Sequence, residues 1–395
     1  MYIEQAEYAT TATTDRANAA QTALEMRAPE AQYKEAEESF AELMKADCLD
    51  EYVRSRPLAF RLFEHGLEDA LAATYTFVAD GVETNNRVAA RESAHLFLQR
   101  ILYRINRLKF FWYDDLSNYD NERSAYLRQV RERIEGSWQG WELASLDVAA
   151  LRREDVREAL VNRAAYDVSP APSASGLYFR DEVNEIGYRR LLAIASLDGL
   201  VEASQLSRTL GGVSNDIHAV MTRLLVEEYG GGRLNRKHST FFTAMLTELK
   251  MRTEPEGYFD LVPWEVLAAI NHSFLLSERK RFYLRYVGGL LYTEISVPAA
   301  FDNYRAAAER LGMSEAARGY WELHIREDER HGQWMLHDVA LPLAAKYPIE
   351  AWEIVLGYDQ QKFISDRAGA SVERAVRAAE QEEACALEVG VGVGA

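Results

Sequence analysis

Residues Glu322 to His331 read ELHIREDERH, which puts two imidazoles and a carboxylate, His324, Asp328 and His331, at i, i+4 and i+7. At 100° per residue these three side chains share one stripe of a helix. Imidazole and carboxylate converging from one stripe form half of a metal site. The competing reading is a solvated helix, because Arg326, Glu327, Glu329 and Arg330 stand among them.

Earlier residues extend the pattern. Glu294 follows Val287, Leu290 and Leu291 and precedes Ile295 and Val297, on a segment that begins at Arg279. A carboxylate on an apolar stripe is costly unless it is ion-paired or holds a metal. On the same segment Gly288-Gly289 permits close approach of another helix or a ligand. Arg285 is a candidate contact for a substrate carboxylate, with a structural ion pair as its alternative. Glu228 ends one helical pattern before Gly230-Gly231-Gly232, and His238 opens the next, which starts near Asn235. The two can converge across the turn, or both can be solvated. An acid in a last helical turn opposes the macrodipole and so asks for another role. Finally, Glu202 lies near the centre of a largely apolar segment, with Asp198 as its competitor.

Three histidines and four carboxylates make a hard, oxygen-rich donor set. It suits two irons or manganese better than zinc. A ferritin-like bundle would need two Glu-x-x-His helices, and that pair is not found.

The elements that position these groups are helical. Only nine prolines occur in 395 residues, and helical periodicity runs almost throughout, with strand alternation nearly absent. The fold class is all-α. Residues 1–30 read as a mobile arm and 31–167 as a helical N-terminal domain. The run from His95 to Tyr113 carries many large apolar groups, which must be buried against neighbouring helices or a second copy of the chain. Val168 to Gly176, VSPAPSASG, reads as a linker and places a domain boundary there. Helices are expected over 180–210, 214–229, 235–249, 263–277, 279–297, 299–311, 314–341 and 347–382, with 383–395 a flexible tail.

Composition narrows the partners. A net charge of −17 argues against nucleic acid and anionic membranes, and leans towards a cationic small molecule. The two cysteines, Cys48 and Cys385, form no CxxC pair, and no apolar run is long enough to span a membrane. A secretion signal is not expected at the N-terminus, so the expected setting is cytoplasmic.

With these residues in place, the chain resembles the haem-oxygenase-like diiron oxidases and oxygenases. That family carries a Glu and a His around a Gly-rich helix–helix turn, a Glu on a middle core helix, and His-x-x-x-Asp-x-x-His on a later one. Here these fall on Glu228, His238, Glu294, His324, Asp328 and His331. An extra carboxylate on the first core helix marks the N-oxygenase branch, and Glu202 falls where it would sit. The resemblance covers roughly residues 177–365 and implies a haem-oxygenase-like bundle over 177–382. It also implies two irons on these seven residues, O2 as co-substrate, and oxidation of a small-molecule amine nitrogen to a hydroxylamine or nitro product in specialised metabolism. Electrons would come from an external reductant or reductase, because no GxGxxG fingerprint is present. The N-terminal helices are similar to a dimerisation region in one subgroup, which implies a homodimer. Nothing after residue 345 reads as the β-barrel cupin of some relatives, so rearrangement to an N-nitroso product is not expected.

Two other readings compete. One is a diiron oxidase of the same superfamily that performs oxidative C–C cleavage or desaturation. The other is a non-catalytic helical interaction protein. Haem binding fits less well, because the stripe is not on the first core helix, where a proximal His would stand. His272, His337, Trp321, Trp334 and Tyr292 are more simply core residues than pocket residues.

Overall fold

The computed structural model of the chain describes residues 29–56, 60–75, 85–109, 119–211 and 215–392. Scarce proline and abundant Ala, Leu, Glu and Arg give helices, and among the described residues there is no strand. The all-α expectation therefore holds. The arm expected over 1–30 lies outside the described residues up to 28, and Pro29 already opens the first helix.

Two units form, Met1–Trp141 and Glu142–Ala395. The first contains α1 (Pro29–Leu43), α2 (Leu49–Ser55), α3 (Arg61–Tyr75) and α4 (Asn85–Arg107), and most of α5 (Ala125–Ala144). α1, α3 and α4 pack on one another through Phe40 against Phe63 and Tyr33 against Phe97, with ring centroids 4.5 and 5.3 Å apart. The apolar face of α4 is satisfied inside this unit: Phe97, Leu98, Ile101, Leu102 and Ile105 are all buried. Each such side chain contributes about 1.5–3 kcal/mol. Over 95–109 the face thus packs on neighbouring helices of its own chain; Phe110 to Tyr113 lie outside the described residues.

The second unit begins earlier than the sequence suggests. The boundary falls after Trp141, not at Val168–Gly176. The reason is α7 (Val156–Asp167), which follows the short α6 (Val148–Leu151) and is tied into this unit through its C-terminal half. Arg163 donates to both oxygens of Asp359 at 2.7 and 2.8 Å, and Asp167 accepts from the Tyr358 hydroxyl at 3.0 Å. The Pro/Ser-rich segment is a loop between α7 and α8 (Ala174–Asp181), which Ser173 caps.

The remaining elements are α9 (Glu185–Gly199), α10 (Ser204–Ser207), α11 (Asp216–Glu228), α12 (His238–Glu248), α13 (Trp264–Glu278), α14 (Tyr283–Arg310), α15 (Glu315–Trp334), a π-helical turn (Met335–Ala340), α16 (Leu341–Lys346) and α17 (Trp352–Gly392). Three differ from expectation. The helix expected over 180–210 breaks at Leu200–Ala203. The pair expected on either side of Pro298 is one continuous helix: the proline removes a hydrogen bond to the Glu294 carbonyl, but α8, α15 and α17 pack along α14 and carry it through. α17 continues to Gly392, into the segment expected to be a flexible tail.

α14 is the axis of the unit. It crosses α17 at van der Waals contact through two glycines. A Cβ on Gly288 would sit 1.9 Å from the Ile354 carbonyl oxygen, and one on Gly357 2.0 Å from that of Arg285. Gly288 thus does what its position suggested, admitting a neighbouring backbone.

Candidate metal centre

Four local features bring the site together. α11 ends on Glu227 and Glu228. Three glycines with φ of 61, 64 and 77° then reverse the chain, and a Cβ at Gly230 would fall 2.4 Å from the Arg236 backbone. α12 starts directly at His238, slightly later than the Asn235 region expected, so this imidazole is buried against Glu228. α14 and α15 pack side by side and present Glu294 opposite Asp328 and His331. The break after α9 turns Glu202 inward, next to Ala203 in a left-handed conformation (φ 62°).

All seven residues singled out by sequence converge. Single ligating atoms of Glu202, Glu228, His238 and His324 lie within 4.8 Å of one another, and so do those of Glu228, Asp328 and His331. Glu294 joins the second group, its carboxylate 3.3 Å from His331 Nδ1. Glu228 belongs to both. His324 Nε2 lies 2.9 Å from Glu202, and His238 Nδ1 lies 2.8 Å from Glu228.

Each histidine also turns its outer nitrogen to a fixed acceptor. His324 Nδ1 meets the Tyr320 carbonyl at 2.8 Å, His238 Nε2 meets Glu327 at 3.3 Å, and His331 Nε2 meets Glu227 at 3.0 Å. An outer N–H bound this way leaves the inner nitrogen's lone pair for a cation and fixes the ring's orientation. The inner atoms are meanwhile poorly satisfied. His331 Nδ1, Asp328 Oδ1 and Glu202 Oε2 are buried with no hydrogen bond, though three carboxylates surround His331 Nδ1 at 3.3–3.6 Å. Buried polar atoms normally find partners. A pair of divalent cations would supply them, and the oxygen-rich, thiolate-free donor set fits iron.

Charge tells the same story. Burial disfavours the charged imidazoles, but the surrounding acids outweigh it, raising His238 to about 9, His324 to about 10 and His331 to about 11. Burial pushes Glu294 up to about 7 and raises Glu228, whereas His324 and its neighbours outweigh burial at Glu202 and hold it low. In the metal-free chain, protons on the histidines do the work that cations would do.

Residues 189–360 match the profile of a family described as iron-containing redox enzyme. The match spans every one of the seven residues and most of the second unit, and the helical architecture of the described residues is consistent with a haem-oxygenase-like bundle. A curated relative, nitrosourea synthase from Streptomyces achromogenes subsp. streptozoticus, is 26% identical over 146 residues, covering 37% of this chain and 31% of the relative. The chain thus matches about a third of that protein's length.

A cavity of about 320 Å³ opens onto the cluster, lined by Glu202, Glu228, Glu294, His324 and Asp328 together with apolar groups such as Leu206, Leu224, Ile270 and Phe301. Arg285 does not reach it. The guanidinium is bound to Glu353 at 2.6 and 2.8 Å, so the candidate substrate contact is instead an ion pair holding α14 to α17. Asp198 lines the cavity without joining either ligand group, and the geometry favours Glu202 over it as a metal ligand. His272, His337, Trp321, Trp334 and Tyr292 line none of this cavity; Trp321, for instance, is buried and donates to the Tyr188 hydroxyl.

Sequence reading missed Glu227, to which it gave no role, and Glu327, which it grouped with solvated charges. Their partners lie 104 and 89 residues away, and no local pattern could reveal that. The Tyr320 carbonyl was within reach, since a helical imidazole can donate to the carbonyl four residues back. No helix among the described residues is long and apolar enough to cross a membrane.

Proposed function

We propose that this chain is a non-haem diiron oxygenase that uses O2 to oxidise the amine nitrogen of a small molecule, an amino acid, guanidine or amino-heterocycle, to a hydroxylamine or nitro product. The observation that carries the reading is the two-group cluster sharing Glu228, with three imidazoles turned inward beside a cavity. Iron bound there would supply the redox chemistry with O2. The chain's own residues do the rest. Glu227, Glu327 and the Tyr320 carbonyl hold the imidazoles in register. Apolar groups line part of the cavity, and Glu202 adds a fourth carboxylate, which would make the centre more electron-rich. The name of the curated relative, a nitrosourea synthase, supports nitrogen as the atom oxidised. Electrons come from an external reductant, and the first unit is assigned to homodimer formation in the cytoplasm.

The test is aerobic turnover of the iron-loaded protein with lysine, arginine and aminoimidazole-type amines, read as product mass. Added oxygen on the substrate supports the proposal. An alkene or a chain-shortened product would move the assignment to oxidative C–C cleavage or desaturation, and full activity of Glu202→Ala would remove the main support for the N-oxygenase branch.

A further inference from the structure

One carboxylate in the cavity is not used by the cluster. Asp198 stands at the end of α9, deep within the protein, yet its side chain is exposed because it faces the cavity. The groups acting on it are a hydrogen bond from Gln205 and the repulsion of Glu202. Among the described residues, no lysine or arginine lines this cavity. Charge counting sharpens the point: two divalent ions would balance the four ligand carboxylates, which leaves Asp198 as the surplus. This carboxylate thus faces the cavity with no protein cation lining it, and a charge-assisted contact is open to a bound molecule that brings the charge.

We infer that Asp198 anchors a cationic nitrogen group, an ammonium, amidinium or guanidinium, on the molecule this cavity accepts, with that molecule's carbon chain against Leu206, Ile270 and Leu276. The inference rests on reading the cavity as the substrate site, and it names the substrate class. It also explains why no arginine is needed there: the recognised charge is positive.

The test uses the full chain loaded anaerobically with ferrous iron, so that binding is read without turnover. Butylammonium, butylguanidinium and the neutral pentanamide are titrated by calorimetry. The wild type should bind at least one of the cations more tightly than the amide. Asp198→Asn should weaken that cation about tenfold or more, the scale of one charge-assisted contact. Amide affinity and iron content should stay unchanged, and Asp198→Glu should restore part of the loss. Preference for the amide in the wild type needs no variant to observe and would overturn the inference. So would unchanged cation affinity in Asp198→Asn, and so would loss of iron from it, which would make Asp198 a ligand. If the cation effect appears but no amine is ever oxygenated, the anchor stands and the oxygenase reading falls.

Discussion

The two halves of the acid–histidine cluster share Glu228 but stand on different kinds of backbone. Glu294, Asp328 and His331 come from the interiors of α14 and α15, where the helical ladder and packing on both sides fix each Cβ. In the other half, only His324 has that support. Glu202 sits in a turn beside a left-handed Ala203, and His238 is the first residue of α12. Exposure separates the carboxylates but not the imidazoles: the Glu202 side chain is 17% exposed, against 9% for Glu294 and 5% for Asp328, whereas His238 is 1% and His331 0% exposed. Helix interiors open only with their whole unit, whereas turns open locally. The helical half is therefore expected to be the more rigid of the two, and the turn-borne half the more sensitive to substitution.

The largest expected effect is at the shared residue. Glu228→Ala should abolish stoichiometric binding of both ions, read by metal analysis after anaerobic loading, because it removes an oxygen from each half. Next, Glu202→Ala should leave the helical half loaded while Glu294→Ala empties it; equal losses in both variants would break the comparison. Substitution of the outer acceptors comes third. Glu227→Gln should weaken the ion held by His331, and Glu327→Gln the ion held by His238, each by roughly 10–100-fold.

Acidity sharpens the same contrast. The three histidines in the metal-free chain are protonated up to about pH 9, 10 and 11, above the ordinary 6.5. Their folded values are raised, so they stabilise the metal-free fold fully below pH 6.5, and that contribution is lost as the pH climbs through 9 to 11. A cation must displace those protons, so iron affinity should increase between about pH 7 and pH 9. A flat profile in a pH-resolved titration would contradict the proton-for-metal account. The smallest effect is expected at Ala203→Gly, which relieves an unfavourable φ at some cost in chain entropy. It should add about 0.5–1 kcal/mol, visible as a small rise in Tm.

Much of this site was legible because ligand chemistry is local. His324, Asp328 and His331 declare themselves by spacing on one helix, and Glu294 by being an acid on an apolar stripe. Glu202 was legible as a residue but not as a conformation. Apolar periodicity runs through Leu200 and Val201, so nothing local predicts that the helix breaks there. Pro298 misled in the opposite sense, since tertiary packing overrode its local cost. The domain boundary was misplaced because a Pro/Ser-rich loop looks the same whether it joins two units or bridges two helices of one. What distinguishes the cases is Arg163 on Asp359, a contact across 196 residues. Arg285 failed for the same reason, its partner Glu353 being 68 residues away.

The central claim is that these seven side chains hold two irons. Anaerobic titration of the full-length chain with ferrous iron, followed by metal analysis, tests it most directly. The account predicts two ions per chain in the wild type, one in Glu294→Ala, and neither bound stoichiometrically in Glu228→Ala. Iron binding that survives intact in Glu228→Ala, or a wild type that takes up none, would contradict it.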